Sequence, residues 1–264
     1  MKTIIFTDLD ATLLEHDTYS FEKAAPALHK IREKGIPLII VTSKTRKEVE
    51  QLIDQLNINE PFIVENGAAI FFPKGYRNFK FENAKEKGKY SVIELGKPYK
   101  EIRNFIQKYK KQFGLLGFGD LSVEEIAKLT NLSIEKARLA KEREYTEPFL
   151  IKDPSQIPEL ESIALKQGLK ITQGGRFYHL IGKDQDKGKA VKLLKDIFEK
   201  NLKNKVKTIA LGDSKNDIPM LKEVDIPVLI PKKDGSYENI SLPNLIKSKK
   251  PASEGWNEVV LQLI

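Results

Sequence analysis

Residues 2–10 read KTIIFTDLD, a short apolar run that ends on two aspartates separated by one leucine. β-Branched and aromatic residues over a few positions mark a strand, and the acids mark where it stops. A run this short, met so soon by acids, is neither a secretory leader nor a membrane span. The next sixty residues alternate around it. Residues 21–34 carry apolar side chains at helical spacing and stop at Gly35, and residues 36–41 (IPLIIV) form a continuous apolar run suited to a strand covered on both faces. Residues 47–56 predict a second amphipathic helix, and residues 62–64 open a third strand just before ENGA. Strands alternating with helices predict parallel βαβ units.

The pattern breaks near residue 83 and resumes near residue 183. The intervening stretch predicts a strand at YSVIELG, a helix over 98–111, a strand at LLGFG, two short helices, a strand at EPFLIK, a helix over 158–167 and strands at LKITQGG and FYHLI. Ser122 followed by Glu125 fits a capping box, whereas Ser133 followed by Lys136 does not. After it come a helix over 188–201, a strand over 207–211, a helix near 218–223 and a strand over 226–230. The expected fold class is α/β. A Rossmann-like parallel-sheet core is built from residues 1–82 and 183–264, and an αβ cap spans residues 83–182.

The chain has 264 residues, a formal charge of +8 from 45 Lys+Arg against 37 Asp+Glu, and no cysteine. The length suits one or two domains. Lacking cysteine, it has no zinc–thiolate site, thiol nucleophile or redox switch, and a cytoplasmic location is expected. Its lysines are mixed with glutamates, as in EKAAPALHKIREKG, which describes solvated helix faces. The local excesses KYKKQF, PKKDG and IKSKK are short. Neither nucleic acid nor a membrane is therefore expected as partner. A small anionic substrate and plain solubility account equally well for the charge.

In an open parallel sheet, ligands bind beyond the carboxyl ends of the strands, where Asp8 and Asp10 fall. Residues two apart on a strand point the same way, about 6.6 Å apart, so two such carboxyl groups can serve one reacting centre. They also repel, which calls for a divalent cation; oxygen ligands without cysteine favour Mg²⁺. Taken alone, an acidic turn after a strand is equally well a solvated cap. A second acidic loop, GDSKND at 212–217, follows the strand over 207–211, and Pro219 fits only the first turn of the helix after it. Asp213 and Asp217 can thus reach the same cation. Thr42 and Ser43 end the IPLIIV strand, and Lys187 opens a helix, as a phosphate site requires. A helix cap and an exposed lysine are the plainer alternatives. The nucleotide motifs fail: Ala190 stands where a P-loop needs Ser or Thr, and Ser122 where GFG at 117–119 would need its third glycine. No HExxH or GxSxG occurs, and His16 and His29 fit surface positions.

In order, DLDATL at 8–13, Thr42, KGKA around Lys187 and GDSKND at 212–217 resemble the haloacid dehalogenase superfamily of phosphotransferases. The inserted cap and ENGA at 65–68 resemble its Cof-type branch, which handles phosphosugars. VTSKTRKEV, REYTEPF, GGRFYHLIGKDQDKGKAV and PASEGWNEVV are similar to the members that act on a mannosyl phosphoglycerate, and this likeness covers nearly the whole chain. Two positions depart: Ala11 replaces the usual glycine, and Pro251 lacks the glycine that usually precedes it. The resemblance implies Asp8 as nucleophile and Asp10 as proton donor and acceptor. It implies Mg²⁺ held by Asp8, the Asp10 carbonyl and Asp213 with Asp217 in support, and phosphoryl oxygens held by Thr42 and Lys187. Ser43, Lys44, Asn216 and the cap residues Arg143, Glu144, Gln173, Arg176, Tyr178 and His179 are the candidates for the rest of a phosphorylated sugar–glycerate. Other sugar phosphates, including the glucosyl analogue and sucrose phosphate, remain alternatives. An anion- or nucleic-acid-binding module is the alternative without catalysis.

Overall fold

The computed structural model describes residues 2–174 and 176–264, arranged around two sheets. The strands are β1 (Lys2–Thr7), β2 (Leu38–Val41), β3 (Phe62–Val64), β4 (Ala69–Pro73), β5 (Lys85–Lys87), β6 (Tyr90–Glu94), β7 (Leu115–Gly117), β8 (Glu147–Ile151), β9 (Leu169–Gln173), β10 (Tyr178–Gly182), β11 (Val206–Gly212), β12 (Ile226–Leu229) and β13 (Ile246–Lys247). The larger sheet has nine strands in the order β13-β12-β11-β1-β2-β3-β4-β6-β5. From β13 to β3 neighbouring strands are parallel; β4, β6 and β5 add on antiparallel.

Nine helices connect the strands among the described residues: α1 (Ala25–Glu33), α2 (Arg46–Leu56), α3 (Tyr99–Phe113), α4 (Val123–Thr130), α5 (Ile134–Lys141), α6 (Ile157–Lys166), α7 (Lys187–Leu202), α8 (Ile218–Lys222) and α9 (Ala252–Leu263). Alternation along β1 separates two cores. Ile5 packs with Leu28 of α1, Val49 of α2 and Trp256 of α9. Ile4 and Phe6 pack on the other face with Leu194 and Phe198 of α7 and Met220 of α8. A strand covered on both sides has no polar face, which is why IPLIIV is continuously apolar.

β1 pairs with β11 on one side and β2 on the other, so chain direction across the sheet reverses there. Thr7 lies level with Leu211 and with Ile40, so these strands end together. Asp8, Asp213 and Thr42 follow at that common edge, the crevice where such sheets bind ligands.

The second sheet is antiparallel, in the order β7-β8-β10-β9. α3 and α6 pack on it through Ile102, Phe105, Ile106 and Leu160. α4 and α5 form a smaller cluster with Phe118 and Leu121. Ser122 makes the expected capping box with Glu125, and Ser133 accepts only from the Lys136 amide.

The expected boundary at residue 83 is displaced. YSVIELG supplies β6, which with β5 extends the nine-stranded sheet, so the insertion starts after Glu94. Aromatic packing explains the placement: the Tyr90 ring meets Phe62 and Phe71 edge-on at 5.3 and 5.6 Å. β4, β13 and α9 were not anticipated. In α9, Trp256 is fully buried and its indole N–H donates to Thr7 Oγ1 at 2.9 Å, tying the far end of the chain to β1.

Candidate active site

The loop after β11 is built around Asp217. Its Oδ2 accepts from the amides of Asp213 and Ser214 and from the Ser214 hydroxyl, each at 3.1 Å. Gly212 leaves room for this turn, because a Cβ there would lie 2.5 Å from the Asp217 Cβ. These bonds close the turn and occupy one oxygen of Asp217. The other, Oδ1, accepts from Lys187 Nζ at 2.6 Å.

Lys187 is the first residue of α7, with Asp186 as its N-cap accepting from the Lys189 amide. Its side chain is 0% exposed, and its ammonium also donates to Asp8 Oδ1 at 2.7 Å. It is not the surface lysine that the sequence equally allowed.

Carboxylate oxygens of Asp8, Asp213 and Asp217 come within 4.8 Å of one another, all buried. Asp213 Oδ1 accepts from Thr12 Oγ1 at 2.9 Å. Of these three acids, Asp8 and Asp217 share the Lys187 ammonium, while Asp213 has only the Thr12 hydroxyl. Burial, with Asp217 and Asp10 nearby and Lys187 in partial opposition, pushes the Asp8 carboxyl up to about 7. Burial and the neighbouring Asp217 and Asp8 likewise hold Asp213 well above the usual carboxylate value. A hard divalent cation fits this oxygen-only donor set and would remove the excess negative charge.

Asp10 is placed differently from the strand argument. β1 ends at Thr7, so the two-residue alternation does not extend to Asp10. Its carboxylate, 46% exposed, pairs with Lys44 Nζ at 2.9 Å instead of joining the acidic triad. Lys44 also faces Glu48 at 3.6 Å and the Tyr19 ring at 5.1 Å. Thr42 is buried, its hydroxyl accepts from the Lys44 amide at 3.1 Å, and the Ser43 carbonyl accepts from Arg143 at 2.9 Å. The helix cap is Thr45, three residues further on. Asn216 donates to Asn66 Oδ1 at 2.9 Å.

The cap candidates divide. Arg143 and Glu144 are taken up in contacts with the core: Arg143 with Ser43 and Glu65, and Glu144 with Arg46 at 2.8 Å and with Lys87. His179 is buried on β10, and burial with Arg143 and Lys187 near it holds its pKa down at about 3, so the ring is neutral. Tyr178 is half-buried; Gln173 and Arg176 are exposed, and Arg176 donates to the Leu129 carbonyl. Glu65, Asn66 and Gln185 carry no signal of their own in the sequence beyond the ENGA resemblance. Asn-Gly signals a turn, but nothing local shows what side chains at such a turn will meet.

Residues 5–234 match the family model of the haloacid dehalogenase-like hydrolases. The chain belongs to that family. A relative from Persephonella marina, named glucosyl-3-phosphoglycerate/mannosyl-3-phosphoglycerate phosphatase, is 58% identical over 99% of this chain and 97% of its own. One from Methanococcoides burtonii with the same name is 47% identical over 100% of this chain and 98% of its own. A haloacid dehalogenase-like hydrolase from B. subtilis shares the fold, with a TM-score of 0.69 at 17% identity and 100% of both chains covered.

Proposed function

We propose that this hydrolase is a Mg²⁺-dependent phosphatase that converts mannosyl-3-phosphoglycerate to mannosylglycerate and phosphate, and accepts the glucosyl ester as well. The observation that carries the reading is the buried cluster of three carboxylates with a single ammonium, which bridges two of them. A plain anion-binding module would be repelled by it. The names of the two relatives support the substrate and widen it from mannosyl to glucosyl.

Asp8, Asp213 and the Asp10 carbonyl would hold the cation, with Asp217 anchoring the loop. The bound cation supplies charge neutralisation for the phosphoryl oxygens. Asp8 attacks phosphorus as its carboxylate, forming the aspartyl–phosphate bond as the bond to the glycerate oxygen breaks. Asp10 passes a proton to that departing oxygen. It then takes a proton from the water that attacks the aspartyl-phosphate, which frees inorganic phosphate and restores Asp8. Acid–base help of this kind contributes about 10²–10⁴-fold. Lys187 has three N–H donors, two of them on Asp8 and Asp217, so the third can hold a phosphoryl oxygen. Thr42 and Asn216 would add further donors.

Residues 95–182 act in this reading as the substrate-selecting cap, with His179 on the face of β10 nearer Lys187 and Tyr178 packed in the cap's own cluster. The product is a small anionic solute, which suits a compatible-solute role in the cytoplasm. Phosphate release from the mannosyl and glucosyl esters, sucrose phosphate and simple sugar phosphates, with and without Mg²⁺, tests the reading. Metal-dependent turnover with preference for the two phosphoglycerates is the expected result. Equal rates on all esters would sink the substrate assignment, and no release of phosphate would sink the chemistry.

A further inference from the structure

Glu65, Asn66 and Gly67 occupy three consecutive left-handed conformations, with φ of 48°, 60° and 85°. A glutamate takes that region at a cost and persists there only when its surroundings over-determine it. The Glu65 amide donates to the Lys44 carbonyl at 3.0 Å and the Asn66 amide to the Thr42 carbonyl at 2.9 Å. Gln185 donates to the Glu65 carbonyl at 2.6 Å. Asn66 receives Asn216 from the acidic loop. The backbone of this turn is thus fixed to the core loop after β2 and to the return link of the insertion.

The Glu65 side chain points at neither. It is 0% exposed, and its carboxylate takes four hydrogen bonds from the cap. Oε1 accepts from the Glu144 amide at 2.8 Å. Oε2 accepts from the amides of Tyr145 and Thr146 at 3.1 and 2.8 Å and from Thr146 Oγ1 at 2.8 Å. Arg143 Nε lies 3.6 Å away, and the same guanidinium reaches the Ser43 carbonyl. Three consecutive amides converging on one oxyanion make an anion-binding nest, here filled by a core side chain. Residues 143–146 join α5 to β8 and belong to neither covalent link between the two sheets. They meet the core through hydrogen bonds and ion pairs and through the Tyr145 ring, which packs in the core cluster.

We propose that Glu65 is a positioning residue, a buried carboxylate clasp that sets the cap on the core and so places β10, with His179, over the catalytic edge. Charge complementarity explains why a glutamate serves. The nest and Arg143 together offer the positive field that a buried carboxylate needs, and an apolar side chain would leave three amides without acceptors. The catalytic part of this inference rests on the proposed phosphatase activity; the clasp itself does not.

Two measurements separate these. Hydrogen–deuterium exchange of the full protein reads the clasp without substrate. In Glu65→Ala, peptides covering residues 143–147 should exchange about tenfold faster while β1 and β11 keep wild-type protection. In parallel, kcat/KM for the glycosyl phosphoglycerate should fall about tenfold or more in Glu65→Ala and Glu65→Gln, while p-nitrophenyl phosphate, too small to need the cap, changes less than about threefold. Should Glu65→Ala fail to fold, Thr146→Val removes one of the four donors and should move both readouts the same way by a smaller factor. Unchanged exchange at 143–147 would overturn the clasp, and a parallel loss on both esters would overturn its role in selection. If the wild type cleaves neither ester, the phosphatase reading fails while the exchange comparison still decides the clasp.

Discussion

Two buried charged clusters, one at the edge of the core sheet and one in the cap, balance their charges differently. In the cap, Arg103 donates to Glu147 at 2.6 Å and to Asp120 at 2.8 Å. Glu147 also accepts from Tyr99 and the Gly119 amide, and Asp120 from Gln107, Lys110 and the Gly117 amide. Each acid there has several donors, although burial still pushes the Glu147 carboxyl up against them. Burial pushes the Asp120 carboxyl up, but Arg103, the Gly117 amide and Lys110 outweigh it and hold the group below its usual value. In the core, Lys187 bridges Asp8 and Asp217 and leaves Asp213 to the Thr12 hydroxyl, and both Asp8 and Asp213 are pushed up. Burial is common to both; the balance of donors is not. A cluster that is satisfied without a ligand is architecture, and one left with excess charge is prepared for a cation.

The contrast can be broken most severely at Asp8. Asp8→Asn should cut phosphate release to below about a thousandth of wild type while the cooperative melting transition survives, read by a phosphate assay and circular dichroism on one preparation. Retained turnover would remove Asp8 from the chemistry. Chelation should be nearly as damaging to activity, with Mg²⁺ restoring it. Activity that persists in excess chelator would mean that the acid cluster needs no cation.

The cap cluster should respond in stability. Arg103→Met leaves Glu147 and Asp120 buried without their shared cation, and should cost about 3 kcal/mol in urea unfolding. Hydrolysis of a small phosphate ester by the folded fraction should stay near wild type. A stability loss below about 1 kcal/mol would show that the amides and Tyr99 suffice without the guanidinium.

A pH series sharpens the core side. Without metal, the Asp8 carboxyl titrates near 7 in the folded chain against a usual 3.8. A group whose pKa is raised on folding contributes stability at low pH that is lost as pH rises through the folded value. Metal-free stability should therefore decline between about pH 4 and 7. Because the cation must displace that proton, the rise in melting temperature on adding Mg²⁺ should be larger at pH 8 than at pH 6. Equal shifts at both would argue that Asp8 is ionised throughout.

The smallest effect is expected at Ala11, which holds a φ of 55°. Ala11→Gly should relieve about 1 kcal/mol of left-handed strain, offset in part by glycine's greater freedom when unfolded. Melting should shift by only a few degrees and turnover should persist.

Much of this was legible in the chain. KTIIFT and IPLIIV are apolar throughout because both faces of their strands are covered. Acids and a threonine at their ends then fall at one sheet edge by topology alone. GFG at 117–119 lacks the third glycine of a nucleotide motif. Its real use appears only in three dimensions: a Cβ at Gly117 would lie 2.3 Å from Glu147, and one at Gly119 would lie 2.6 Å from Arg103. YSVIELG carries an ordinary strand pattern, and nothing local says which sheet it joins. Tyr90 decided that by packing on Phe62 and Phe71.

The sequence by itself determined the class of fold, the crevice and the acids that line it, because each depends on short periodic patterns and on residue chemistry. Tertiary structure alone decided how those charges are shared. Lys187 bridges Asp8 and Asp217, Asp10 turns to Lys44, and Glu65 leaves its own turn for amides about eighty positions away in the cap. Such pairings depend on which distant segments approach within hydrogen-bond reach, and no local propensity encodes that distance.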